Sequence, residues 1–245
     1  MTYRNRFECK FVVPESTAAA VFRRVQPFVA PDPYGADRPD HSYTIASLYL
    51  DSPTLRLYHE TVDGQSERFK LRVRTYDDDP KTPLFLEVKR RHDRVVQKLR
   101  CPIPRHLLPA VLAGEPVDLP GSSPTKQRSL AEFQRLMLLA RAIPRTTVKY
   151  QRQAYVGLDD PEVRVTGDRR LCAVTETAPR VRVHDPDYRT VPTHGVVLEL
   201  KFTDRMPPWM ADAIRALDLR RRSFSKYCTS VDALNDRPTA ARLQT

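Results

Sequence analysis

The sequence predicts an α+β protein, an antiparallel sheet or closed β-barrel with helices packed outside. Three observations lead there. Short β-like runs dominate the chain. Helical stretches are fewer and do not alternate with the strands as the crossovers of a parallel sheet would. Several strands carry ionisable residues at one parity and apolar residues at the other, which places them on opposite faces. With 245 residues, 40% of them hydrophobic, the chain suits one large β-rich domain. We read residues 1–235 as that domain and 236–245 as a polar tail.

In chain order, a strand is expected at 4–11 and a helix at 14–27. Strand 43–50 follows, and Ser52-Pro53 reads as an N-cap with an N1 proline that starts a short helix. Strands 67–76, 84–91 and 94–101 come next. A helical piece at 104–113 and a long amphipathic helix at 124–141, closed by Pro144, lead to strands 147–156, 162–167, 171–175 and 195–202. Pro207-Pro208 before Trp209 opens a helix at 207–218, and a last helix falls near 224–234. The 22 prolines cluster at 31–39, 80–83, 102–124 and 179–192 and mark the connectors.

Forty-one Lys and Arg against thirty Asp and Glu give a formal charge of +11, which biases the chain toward phosphate-bearing partners without choosing among them. No run approaches the roughly 20 apolar residues of a membrane span, and MTYRNRFECK lacks the apolar core of a signal peptide, so a cytoplasmic location is expected. Cys9, Cys101, Cys172 and Cys228 lack the paired spacings of a zinc site and read as free thiols.

The charged faces are strongly basic. Lys70, Arg72 and Arg74 oppose Leu71 and Val73, with Tyr76 extending the polar side; Glu87 and Lys89 oppose Leu84, Leu86 and Val88. Glu199 and Lys201 oppose Val196, Leu198 and Leu200. Arg6, Glu8 and Lys10 oppose Phe7, Cys9 and Phe11, and Arg164, Thr166 and Asp168 oppose Val163 and Val165. A sheet with one solvated face gives the same alternation. The basic bias and the recurring Glu-x-Lys pairs (Glu8/Lys10, Glu87/Lys89, Glu199/Lys201) favour charged faces turned inward. Such a wall is costly unless a polyanion and the interspersed carboxylates neutralise it. Arg forks and compact Lys charges suit phosphate better than carboxylate.

In order along the chain, Arg6-Phe7-Glu8-Cys9-Lys10, Ser47-Leu48-Tyr49-Leu50-Asp51, Lys70-Leu71-Arg72-Val73-Arg74-x-Tyr76 and Phe85-Leu86-Glu87-Val88-Lys89 with Lys98-x-Arg100 resemble the VTC domain of polyphosphate polymerases, within the triphosphate tunnel metalloenzymes. The likeness continues through Tyr150-x-Arg152-x-Ala154-Tyr155, Arg164-Val165-Thr166-x-Asp168, Val197-Leu198-Glu199-Leu200-Lys201 and Ser225-Lys226-Tyr227. The resemblance implies a closed eight-stranded antiparallel tunnel around a triphosphate or growing phosphate chain. It implies Lys10, Arg72, Arg74, Lys89, Lys98, Arg152, Arg164, Lys201, Ser225 and Lys226 as phosphate ligands and Glu199 as the ligand of Mn²⁺ or Mg²⁺, with Lys10, Arg72, Arg74 and Glu199 at the catalytic centre. Arg6 stands where the wider superfamily often has Glu, which removes a potential metal ligand and points to the polymerase-like branch. Gly167 stands where a β-branched or aliphatic residue is more usual.

The expected partners are a nucleoside triphosphate, ATP first, and inorganic polyphosphate. Three function classes stay open: polyphosphate synthesis, hydrolysis of tripolyphosphate or a nucleoside triphosphate in the same tunnel, and binding of polyphosphate or nucleic acid without catalysis. Basic residues set opposite apolar ones in strands, instead of interleaved with surface aromatics, disfavour nucleic acid. Single residues also have plainer readings. Glu87 either pairs with Lys89 or Arg72 or acts as a ligand; Asp168 positions Arg164 or caps a turn ahead of binding metal; Asp51 starts a helix ahead of acting as a catalyst. Trp209 anchors a helix on the barrel, and Arg220-Arg221-Arg222 is a solvated turn or an entrance patch.

Overall fold

The structure, a computed structural model, describes residues 6–92, 95–119 and 121–235. The expected tail lies outside these residues, as does the start of the expected first strand. The described chain runs β1 (Arg6–Val13), α1 (Glu15–Val25), β2 (Val29–Pro31), β3 (Ser42–Asp51), α2 (Arg56–Val62), β4 (Glu67–Thr75), β5 (Leu84–His92) and β6 (Val95–Ile103). It continues α3 (Leu108–Ala113), α4 (Pro124–Ala140), β7 (Ile143–Gly157), β8 (Arg164–Thr175), β9 (Arg189–Thr190), β10 (Val196–Thr203), α5 (Pro208–Ala216) and α6 (Lys226–Leu234). All of the strand pairings are antiparallel.

Eight strands form one continuous ladder in the order β1-β10-β8-β7-β3-β4-β5-β6, with β2 added on β7 and β9 on β8. The expected closure is corrected: among the described residues the sheet has ten strands, and β1 and β6 end the path without pairing to each other. The sheet is nevertheless rolled. Lys89 on β5 reaches Glu8 on β1 at 3.3 Å, although the ladder places these strands near opposite ends. The charged faces therefore look at each other across a concave side, which this contact bridges.

The apolar parity faces outward and is covered by helices in two clusters. Leu71, Val73, Leu86, Val88 and Ile103 pack beneath Val111 of α3 and Leu130, Phe133 and Leu136 of α4. Cys9, Phe11, Val165, Leu198 and Leu200 pack beneath Val21 and Val25 of α1 and Met210 and Ala213 of α5. Each fully buried Leu, Val or Phe contributes roughly 1.5–3 kcal/mol. Gly167 belongs to this face: a Cβ there would sit 2.8 Å from the Phe22 ring, so glycine lets α1 approach while β8 runs on unbroken.

A third cluster corrects the placement of all helices outside. Tyr227, Cys228 and Val231 of α6 and Tyr58 of α2 pack against Tyr49, Val148, Tyr150, Leu171 and Ala173, on the concave side of β3, β7 and β8. That stretch of wall is aromatic and aliphatic and needs an apolar cover. Asp51 locks the arrangement. It is fully buried, accepts from the Leu57 and Tyr58 amides at 2.8 and 2.9 Å and from Tyr227 Oη at 2.6 Å, and so caps α2 as a helix-start residue.

Several boundaries shift for local reasons. The helix expected at Ser52-Pro53 begins at Arg56, because the turn first passes through Leu55 at φ 58°. The long helix ends at Ala140 with Arg141 left-handed, and Pro144 lies inside β7. The runs 162–167 and 171–175 are one strand, kinked at Arg170 (φ 51°) where the β7 register slips.

Candidate active site

The side chains on the concave wall fall into two groups. The first centres on Glu199 of β10. Its carboxylate accepts from Lys201 at 2.5 Å and from Lys226, the first residue of α6, at 3.0 Å. Lys10 and Arg152 stand 3.8 and 3.9 Å away. Asp168 on β8 takes a bidentate fork from Arg152, 2.7 Å at each oxygen, and Lys226 at 2.6 Å. Asp168 thus holds Arg152 and Lys226, correcting the expectation that it positions Arg164 or caps a turn. Period-two alternation explains the assembly: Glu199 lies opposite Lys10 on one side and Thr166 on the other, so neighbouring strands deliver the same face.

Burial works against the charge on Glu199, yet Lys201, Lys226, Lys10 and Arg152 together hold its carboxyl well below the usual range. Burial likewise opposes the Lys226 ammonium, and Asp168 and Glu199 outweigh it, raising the group above its ordinary value. Lys10 bridges the group to Glu8 at 3.2 Å and donates to the Phe224 carbonyl at 3.0 Å. Ser225 caps α6 by accepting from Cys228 N and receives Lys70 Nζ at 2.8 Å.

The second group lies on β4, β5 and β6. Arg72 donates to Glu87 at 2.6 Å and to Tyr49 Oη at 3.3 Å; Arg74 donates to Ser47 Oγ at 3.3 Å and Tyr150 Oη at 3.5 Å. Arg74 and Arg100 also stand 3.7 Å from Glu87. Glu87 is therefore the ion-pair partner of Arg72; burial opposes its charge, and the neighbouring arginines still bring it down to about 2. Beyond this pair the cations are poorly matched. Burial pushes Lys89 down to about 7 against the pull of Glu8, with Lys10 and Lys98 adding to the depression. Lys98 is pushed to about 8, first by burial and then by Lys201. Much of the Lys98 side chain is open to water, but its ammonium stands in a dense shell of protein atoms. Among the described residues no carboxylate lies within ion-pair distance of it.

Lys10, Arg72, Arg74, Lys89, Lys98, Arg152, Glu199, Lys201, Ser225 and Lys226 thus share one wall. Arg164 does not join them: it is exposed and paired with Asp32 at 3.2 Å. Lys70 and Arg100 belong to the wall and were not among the expected ligands, although the alternation that selects Arg72 and Lys98 selects them too. Arg220 pairs with Asp218 in solvent, while Arg222 N donates to the Lys10 carbonyl at 2.9 Å and covers part of the free β1 edge. Trp209 stacks on Phe28 at 5.3 Å beside the α1–α5 cluster.

No group of three or more His, Cys, Asp or Glu among the described residues is arranged to hold a metal. The donors are instead single carboxylates, Glu199 with Glu8 beside it, both bound to Lys10. That set fits a hard cation which takes one or two carboxylates and completes its shell with substrate phosphate and water. It does not fit a cage made by protein alone.

The family model of the VTC domain matches residues 5–235. A search of curated proteins finds no significant match. Among solved structures, a candidate adenylate cyclase from Bacillus halodurans superposes with a TM-score of 0.49 at 10% identity, covering 90% of this chain and 95% of that one. The PH1819 protein from Pyrococcus horikoshii OT3 superposes with a TM-score of 0.45 at 12% identity, covering 95% and 99%. No helix among the described residues is long and apolar enough to cross a membrane.

Proposed function

The chain belongs to the VTC domain family, and from that premise we propose that it transfers the γ-phosphoryl group of a nucleoside triphosphate, ATP first, to a growing inorganic polyphosphate chain. The observation that carries this reading is the excess of concave cations over carboxylates. Lys10, Lys70, Arg72, Arg74, Lys89, Lys98, Arg100, Arg152, Lys201 and Lys226 face Glu8, Glu87, Asp168 and Glu199, and burial depresses three of the lysines, Lys70, Lys89 and Lys98. A long, multiply charged anion supplies what the wall lacks.

In this mechanism Arg72 and Arg74, already aimed by Glu87, Tyr49, Ser47 and Tyr150, fork onto phosphate oxygens and hold the chain in line. Lys89, Lys98 and Lys201 neutralise the charge that grows on the leaving diphosphate. The nucleophile is the terminal phosphate of the bound chain, so no protein base is needed. Glu199 would hold Mn²⁺ or Mg²⁺, which supplies charge neutralisation to the transferring group when bound.

The test is incubation of purified protein with ATP and Mn²⁺ or Mg²⁺, with phosphate products resolved on a gel. Long chains support synthesis. Orthophosphate alone replaces it with hydrolysis in the same wall, and binding without turnover leaves a polyphosphate-binding protein.

A further inference from the structure

At one end of the wall the charged rows of β4 and β5 give way to rings. The row Arg72, Arg74 continues to Tyr76, and the row Lys89, Glu87 continues to Phe85. Tyr76 stands over Phe85 edge-on at 5.7 Å, and the Arg100 guanidinium lies 3.8 Å from the Phe85 centroid while donating to Tyr76 Oη at 3.0 Å. Tyr34 stacks on Tyr76 at 4.6 Å and 19° and touches Tyr43 at 5.7 Å. It remains 51% exposed. Arg100 also stands 3.7 Å from Glu87, the partner of Arg72, so this collar joins the phosphate-binding wall directly.

Tyr34 is held there by its loop. Asp32 N donates to the Ala154 carbonyl at 2.9 Å, tying the loop to β7. The Asp32 carboxylate accepts from Tyr34 N at 3.1 Å and from Arg164 at 3.2 Å, and Gly35 N donates to the Asp32 carbonyl at 2.8 Å. At Gly35 a Cβ would lie 2.5 Å from the His41 carbonyl oxygen, so only glycine lets the loop fold back this tightly. A half-exposed ring on a braced loop offers a stacking face whose ordering cost is already met.

We propose that this collar stacks the nucleobase of the triphosphate, with Tyr34 as the stacking residue and Arg100 bridging base and phosphates. The inference rests on the reading of the wall as a triphosphate site and adds to it the basis for taking a nucleotide over a bare phosphate chain. Stacking tolerates any base because every base has a π-face, so the collar selects nucleotides as a class.

The test is calorimetric titration of the full chain with ATP and with inorganic tripolyphosphate, metal chelated so that nothing turns over, for the wild type, Tyr34→Phe and Tyr34→Ala. The quantity read is the ratio of the two affinities. Partial unfolding of a variant acts on both ligands alike and leaves that ratio intact. The ratio of ATP to tripolyphosphate affinity is expected to fall on the order of tenfold in Tyr34→Ala and to hold in Tyr34→Phe. An unchanged ratio in Tyr34→Ala, with tripolyphosphate still bound, overturns the collar and leaves the wall. If the wild type binds no tripolyphosphate, the reading of the wall fails and the collar falls with it.

Discussion

The two halves of the concave wall use the same residue types under opposite electrostatic conditions. Around Glu199 and Asp168, each cation has a carboxylate within reach and the carboxylates are almost wholly buried. Along β5 and β6, Lys89 and Lys98 are depressed to about 7 and 8; Lys89 meets Glu8 at 3.3 Å, and no carboxylate among the described residues lies within ion-pair distance of Lys98. The first half is satisfied by itself and fixes geometry. The second leaves positive charge unmatched among the described residues, which is where the proposed anion would bind. Charge count along the sequence does not separate the two; pairing does.

The contrast is broken most forcefully at Asp168. Asp168→Ala removes the closer of the two buried carboxylates that pair with Arg152 and Lys226, leaving only Glu199, and is expected to cost about 3–5 kcal/mol of folding stability, read from the urea midpoint. Lys98→Met, in the other half, is expected to leave that midpoint unchanged or raise it. An equal loss in both would erase the distinction. Next comes Glu199→Gln, expected to lower metal-dependent turnover roughly 10²–10³-fold while tripolyphosphate still binds. Retained activity would sink the metal assignment.

Smaller effects sharpen the comparison. Lys89→Met and Lys98→Met are each expected to weaken tripolyphosphate roughly tenfold, about the worth of one charge-assisted hydrogen bond, as measured by calorimetry. The pH dependence follows from the same pair. In the free protein their charged forms are disfavoured above about pH 7 and 8, and a bound anion restores the preference for charge, raising both values. Affinity should therefore be greatest below about pH 7, fall as pH rises through those values, and be accompanied by proton uptake. Titrations in buffers of different ionisation enthalpy measure that uptake, and Lys89→Met should lose the part of the fall that begins near pH 7.

Much of this was legible in the sequence because strand alternation is local. Parity alone put Arg72, Lys89 and Glu199 on one face and Leu71, Val88 and Leu200 on the other, and the ordered motifs turned the charged face inward. Three things were not legible, each set by distant contacts. The inward placement of α6 depends on an aromatic stretch, Tyr49 and Tyr150, that reads as ordinary strand tyrosine until β3 and β7 are paired. Asp168 was read against its near neighbour Arg164, while its true partners come from β7 and α6. Arg164 shares parity with the site, but it stands at the very start of β8, exposed, where Asp32 claims it.

The seam between β1 and β6 has a consequence for traffic. A ring made wholly of backbone ladder admits a polymer only by threading from an end. Here the ladder is open between β1 and β6; Glu8 on β1 reaches across to Lys89 on β5, a contact that salt weakens, and the Arg222 amide covers part of the β1 edge. A clasp of this kind can part along its length at small cost. On the function proposed above, a phosphate chain longer than the lumen can then be laid in sideways, and one that has grown can be let go without being drawn through past α6.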